Sequence, residues 1–202
     1  MNLSNSLHDT RCHSCGLDKD TCRIVVSRGD PTSNLMLIGE APGAKEDETG
    51  IPFVGRSGKL LNILLENEGF DYEKDVFICN LLKSRPPNNR TPTRQEIQNH
   101  IPWLYQQIKL VDPLIIVLIG SSALRAILGI KSKISDLRGT WHNWNGIYAM
   151  PIFHPSYLLR NPSKTIGGPY NLTCLDLREV NRKLVELQFV PKTTSFKIPM
   201  SH

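Results

Sequence analysis

Four short apolar runs stand out against amphipathic and polar chain. Leu35-Met-Leu-Ile38, Val76-Phe-Ile-Cys79, Leu114–Ile119 and Gly146–Phe153 have strand length and β-forming composition, so each predicts a strand. Leu114–Ile119 is apolar nearly throughout, the pattern of a strand buried on both faces. Between the runs the apolar period becomes helical. Leu60, Leu61, Ile63, Leu64 and Leu65 line one face of a helix from Ser57 to Glu68, with Ser57 as a candidate N-cap. Thr93 and Glu96 have capping-box spacing and predict a helix running to about Leu110. Gly120-Ser-Ser122 turns into a helix through Leu128, and Asn171–Leu187 carries a last apolar stripe at 172, 175, 177, 180, 184 and 187. Pro86-Pro-Asn-Asn89 and Pro92 interrupt regular structure.

Strands that alternate with helices predict a parallel sheet between helical layers. One consequence bears on function. Gly39-Glu40, Asn80, Gly120-Ser121 and His154 each fall directly after a predicted strand. In a parallel sheet these ends share one edge, where open α/β sheets bind ligands. The loop after the first strand, Gly39-Glu-Ala-Pro-Gly43 followed by Glu46-Asp-Glu48 and Pro52-Phe-Val-Gly55, combines glycines, carboxylates and one aromatic. That combination suits a flat polar ring better than a phosphate cradle.

Three segments follow from these patterns: a polar, cysteine-bearing arm over 1–33, one domain over 34–188, and a loose tail over 189–202. No apolar run is long enough to span a membrane. The N-terminus shows no charged region followed by an apolar core, so a cytoplasmic location is expected. Hydrophobic content of 40% and charged content of 21% are those of a globular protein. The net charge of +5 is unevenly placed: from residue 131 onward ten Lys or Arg face four Asp or Glu. A basic C-terminal third fits either a polyanion such as nucleic acid or a solvated basic face. The five cysteines are odd in number, which argues against a disulfide framework, and Cys12-His-Ser-Cys15 is half of a metal site by spacing.

The motifs and their order resemble the type 4 branch of the uracil-DNA glycosylase superfamily, from about Cys12 to Leu187. The residues that carry the resemblance are Gly39-Glu-Ala-Pro-Gly43, Glu46-Asp47, Gly50, Pro52-Phe-Val-Gly55, Gly58, Asn80, Lys83, Arg85-Pro-Pro87, Arg90, Gly120, Ala123-Leu124, Arg138-Gly139 and His154-Pro-Ser-Tyr-Leu-Leu-Arg160. It implies a three-layer α/β/α sandwich around a mostly parallel four-stranded sheet. It implies an enzyme that flips a uracil nucleotide out of DNA, single- or double-stranded, and hydrolyses its N-glycosidic bond, acting as a monomer. Phe53 would stack under the base, with Gly39 and Gly43 allowing close approach. The Asn80 carboxamide would match the uracil edge, and His154 would donate to the oxygen that gains charge. Ala41 stands where the best-known members carry a water-activating Asp. The carboxylate task then passes to another residue: Glu46 for water, Glu40 for pocket structure, Asp47 as the third candidate. Tyr157-Leu158 would wedge into the duplex, and Ser121, Ser156 and Arg160 would contact phosphates.

The resemblance also implies a 4Fe–4S cluster on four cysteines. Cys12 and Cys15 match two of them, but Ser84 and His100 stand at the other two. Three readings stay open: a lost cluster, a site of Cys12, Cys15 and His100 with Cys22 or another ligand that binds zinc or a cluster, and a redox or disulfide use. Two other functions remain beside uracil excision, a catalytically silent DNA-binding protein and a nucleotide-metabolising α/β enzyme. The lack of a G-x-G-x-x-G or Walker-type loop weakens the second of these.

Overall fold

The computed structural model describes residues 17, 21–188, 196 and 198. In these the four expected strands form the parallel centre of a six-stranded sheet. They are β2 (Leu35–Gly39), β3 (Phe77–Asn80), β4 (Ile115–Ile119) and β6 (Ile147–Ile152). Two short strands that the pattern did not predict pair antiparallel at the edges, β1 (Arg28–Gly29) and β5 (His142–Trp144), and the order is β1-β3-β2-β4-β6-β5. Two or three residues carry too little alternation to announce a strand, and only pairing with a neighbour makes them one.

The helices are α1 (Ala44–Thr49), α2 (Arg56–Asn67), α3 (Arg94–Val111), α4 (Ser121–Leu128), α5 (Ile134–Leu137), α6 (Pro155–Arg160) and α7 (Pro169–Gln188). None of them is long and apolar enough to cross a membrane. Alternate residues of the central strands face opposite layers, as strand geometry requires. Leu35, Leu37, Ile78, Val117 and Met150 pack in one core with α2 and α7 residues, while Met36, Ile38, Cys79, Ile116 and Leu118 pack in a second with α3 and α4 residues. The chain is therefore a three-layer α/β/α sandwich.

Capping follows the sequence at α3 and departs from it at α2. The Thr93 hydroxyl accepts from the Glu96 N–H, and the Glu96 carboxylate accepts from the Thr93 N–H at 2.8 Å. Arg90 grips the same carboxylate with two nitrogens and holds its pKa down to about 2. At α2 the cap is Gly55, not Ser57, and the Gly55 N–H donates to Glu46 Oε1 at 2.9 Å. A carboxylate at a helix N-terminus meets the positive end of the backbone dipole.

The two terminal segments are more engaged than the pattern suggests. Residues 28–29 extend the sheet, and Leu17 and Val25 are buried. Phe196, in the expected tail, stacks on Trp144 with ring centroids 5.1 Å apart. Polar neighbours in the sequence hide these contacts, because each depends on a single side chain.

Arg138-Gly139 acquires a structural role. The Gly139 N–H donates to Pro151 O at 3.0 Å at the end of β6. The Arg138 guanidinium pairs with Asp176 of α7, donating from Nε at 2.7 Å, and also reaches Leu172 O. The dipeptide thus ties the last helix to the strand that delivers His154.

Candidate active site

The parallel register sets the strand ends side by side. Gly39 pairs with Asn80 across β2 and β3, and Ile119 pairs with Ile152 across β4 and β6. The chain then crosses over: Leu81 N–H donates to Gly39 O and Leu82 N–H to Glu40 O. Over these ends opens a cavity of about 510 Å³, lined among others by Glu40, Gly43, Glu46, Phe53, Asn80 and His154. A pocket of this size lies within the range of small-molecule sites.

Phe53 holds its place through backbone that only a fixed loop supports. It is a non-glycine residue at φ 55°, a left-handed conformation uncommon for an aromatic. A Cβ on Gly58 would overlap the Phe53 backbone, and a Cβ on Gly39 would fall 2.5 Å from the Phe53 ring and collide with Asn80 Oδ1. Gly39 is therefore the spacer between ring and carboxamide. The Phe53 and His154 rings lie 6.2 Å apart at 34°. Asn80 is buried at the end of β3, and the Lys83 ammonium donates to its carbonyl at 2.6 Å and to Gln107 Oε1 at 2.5 Å.

His154 is fixed by its own helix. It caps α6, and its Nδ1 accepts from the Ser156 N–H at 3.1 Å, with the Ser156 hydroxyl at 2.8 Å. A backbone N–H can only donate, so Nδ1 carries the lone pair and the proton sits on Nε2. Burial, aided by the Arg160 charge, pushes the pKa of the ring down to about 4. The side chain is a neutral N–H donor at physiological pH. Gly120, at φ 87°, lets β4 end against it; a Cβ there would lie 3.1 Å from the His154 Cβ.

The three acidic candidates have different partners. Glu46 is buried with Oε1 on the Gly55 N–H, and Cβ atoms on Gly43 and Gly55 would crowd its oxygens. It acts as the tie of the Phe53 loop. Asp47 does not line the cavity; its Oδ1 accepts from the Cys22 and Arg23 N–H groups and fastens the preceding segment to α1. Glu40 accepts from the Ser122 hydroxyl at 2.5 Å through Oε2. It lines this cavity and also a second one, of about 650 Å³.

That second cavity adjoins the first and shares His154, Ser156 and Arg160 with it; Ser121, Arg125 and Tyr157 complete its wall. Leu158 does not belong there. It is 2% exposed within the core shared by α2 and α7, so it offers no side chain to an outside partner. Helical spacing in a six-residue segment could not tell the inward residue from the outward one. Tyr157, partly exposed and 5.1 Å from the Phe153 ring, keeps its place at the surface. Sequence reasoning missed Arg56, Ser122 and Arg125 as lining residues. For Arg56 and Ser122 the signal available was their position in the first turns of α2 and α4, directly after strand-end loops; Arg125 lies one turn further along α4.

His100 lies outside both cavities, buried on α3. Its Nδ1 is 2.8 Å from Glu96 O, and its Nε2 has no hydrogen-bond partner among the described residues. Ser84 is buried as well, while Cys12 and Cys15 lie outside the described residues. Among the described residues no three His, Cys, Asp or Glu side chains gather as a metal site. A cluster that needs four thiolates does not fit a set with a serine hydroxyl and an imidazole at two positions.

The chain matches the model of the uracil DNA glycosylase superfamily over residues 26–185. It is 44% identical to a type-4 uracil-DNA glycosylase of Thermotoga maritima, an alignment covering 77% of this chain and 82% of that protein. It is 39% identical to the type-4 enzyme of Pyrobaculum aerophilum, over 75% of this chain and 81% of that one. It is 40% identical to that of Saccharolobus solfataricus, over 75% and 74%.

Gly39→Ala tests the packing of the pocket wall. The added methyl must displace Phe53 or Asn80, at a cost of about 1–3 kcal/mol for overpacking. Urea denaturation is expected to show that loss, and a crystal structure to show the Phe53 ring moved.

Proposed function

The chain belongs to the uracil-DNA glycosylase superfamily, and on that premise we infer that it is a DNA repair glycosylase that excises uracil from DNA. The observation that carries the reading is the convergence of Phe53, Asn80 and a neutral His154 on one cavity. The reading includes a cytoplasmic monomer that acts on DNA by base flipping.

The chemistry follows from what each group can do. A uracil turned out of the stack lies on the Phe53 ring, where stacking contributes about 1–3 kcal/mol per base. The Asn80 carboxamide offers one donor and one acceptor, which matches uracil and mismatches cytosine. As the bond from N1 to C1′ breaks, its electron pair goes to the base, and charge grows on the uracil oxygens. The His154 Nε2–H meets that charge without having to lose a proton. The sugar becomes cationic at C1′, and a water adds there, leaving uracil and an abasic sugar. We assign the water-positioning role to Glu40 and the loop-holding role to Glu46, the reverse of the expectation. Glu46 already serves the Gly55 amide, whereas Glu40 stands between the two cavities, held by Ser122. Ser121, Ser156, Arg125 and Arg160 line the groove that would take the flanking phosphates, with Tyr157 against the opened duplex.

The deciding experiment is release of uracil from single- and double-stranded oligonucleotides, read as strand cleavage at the abasic site. His154→Ala is expected to lower the rate by about 10²–10³, the scale for one lost donor to a developing anion. Asn80→Ala is expected to lose uracil excision while the protein stays folded. DNA binding by the wild type without any abasic product would mark the silent DNA-binding protein instead.

Glu40→Gln and Glu46→Gln separate the two carboxylates. Glu40→Gln is expected to lower kcat at unchanged unfolding midpoint, and Glu46→Gln to lower the midpoint. The opposite pattern restores the water role to Glu46.

Acid titration tests the state of His154. The ring is neutral until the pH nears about 4, so excision is expected to run without a break through pH 6.5. An unfolded chain takes up that proton near the ordinary value of about 6.5. Stability contributed by this group is therefore complete above that pH and lost as the pH falls toward 4. A kinetic break near 6.5 that vanishes in His154→Ala would overturn the assignment.

A further inference from the structure

We propose that Lys83 and Gln107 are positioning residues for base recognition: their side chains form a bridge behind Asn80 that sets where its carboxamide meets the base. The inference rests on the excision reading and starts from a gap in the sheet. β1 pairs with Phe77 and Ile78 of β3 and stops there. Continued by two residues, the same register would set Val26 opposite Asn80. Asn80 holds the last position of β3, and the Leu81 N–H that follows it donates to Gly39 O of β2. In a trans peptide the C=O of one residue and the N–H of the next point to opposite sides. The Asn80 carbonyl therefore points away from β2, to the side where β1 has ended.

Two buried side chains close that gap. Lys83 Nζ donates to Asn80 O at 2.6 Å and to Gln107 Oε1 at 2.5 Å, and Gln107 Nε2 donates to Val26 O at 3.1 Å. The run of bonds from Val26 O through Gln107 and Lys83 to Asn80 O stands in place of the missing rung. The Val25 N–H, donating to Lys83 O at 2.8 Å, ties the lysine backbone to the same segment. Burial lowers the pKa of Lys83, yet the bridge does not depend on the charge, because a neutral amine still has two N–H groups for its two acceptors. What Asn80 faces gives the bridge its task. On the β2 side there is no slack, since a Cβ on Gly39 would collide with Asn80 Oδ1. On the other side the bridge replaces strand pairing, so the carboxamide is fixed from both sides. A group that reads a base edge tolerates little error: a misplacement of about 1 Å can cost about 10²-fold in rate. Neither Lys83 nor Gln107 lines either cavity, so each acts through Asn80.

The test compares Lys83→Met, Lys83→Gln and the double variant Lys83→Met/Gln107→Leu in the full chain. Three quantities are read: single-turnover release of uracil from an oligonucleotide at saturating enzyme, affinity for the same DNA, and the urea unfolding midpoint. Lys83→Met removes the donor to Asn80 O and strands Gln107 Oε1 in the core. It is expected to lower the midpoint and to slow release about 10²-fold at unchanged DNA affinity, which rests on phosphate contacts. In the double variant both buried partners are apolar, which restores much of the stability. Release is expected to stay slow there, because the donor behind Asn80 is still absent. Lys83→Gln keeps a donor one bond shorter and is expected to recover part of the rate. Where Lys83→Met does not fold, the double variant and Lys83→Gln carry the comparison. A pair that only stabilises the fold gives another pattern: release recovers with the midpoint in the double variant, and that outcome overturns the proposal. So does release at the wild-type rate in Lys83→Met, or a loss confined to DNA affinity. A wild type that releases no uracil removes the excision reading and this proposal with it; a wild type that does, beside unaffected variants, removes this proposal alone.

Discussion

The close approach at Gly39 governs the pocket. Where β2 ends, the chain has no side chain, and the Phe53 ring and the Asn80 carboxamide fill the space a Cβ would take. Two groups from different elements are thereby fixed against one backbone atom. The ring needs Phe53 at positive φ, which needs the turn closed at Gly58, which needs α2 to start at Gly55, which is held by Glu46. Each link is a steric or hydrogen-bond condition on the next. The pocket wall is rigid because it is over-determined, and not because any one contact is strong.

A second constraint concerns charge. Departure of a pyrimidine anion needs a donor already in place, in surroundings dry enough for its dipole to count. On the proposed reading, His154 would meet both conditions through its position as the cap of α6. The Ser156 amide occupies Nδ1 and so directs the proton to Nε2, while burial keeps the ring neutral. Arginines 56, 90 and 160 line the same cavity and supply positive potential without competing for the base. A neutral donor within a positive rim would separate the two tasks the proposed reading requires, attracting a polyanion and stabilising a leaving group.

Much of this was legible in the chain. Strand ends in a parallel sheet are readable from four apolar runs, and so Gly39, Asn80, Gly120 and His154 could be brought together before any coordinates. The capping box at Thr93 was readable because its reach is local. What escaped depended on which way one side chain turns. Leu158 and Tyr157 are neighbours on one short helix, and only the packing of α6 on α2 decides that the first is buried. Glu40 and Glu46 are both acids in one loop, and only the location of the Gly55 amide and the Ser122 hydroxyl assigns them different partners. The edge strands and the packed Phe196 rest on pairings too short to leave a periodic trace.

Lys83 connects the pocket to the layer that holds His100. Its ammonium is buried, which lowers its pKa, yet it keeps two acceptors: the Asn80 carbonyl and Gln107 Oε1 on α3. Gln107 in turn donates to Val26 O, in the segment leading to β1. The strand end that presents the carboxamide, the helix that carries His100 and the chain that follows the paired cysteines therefore meet through one side chain. Removing a partner from a buried ammonium is costly, so these three parts keep their relative position together.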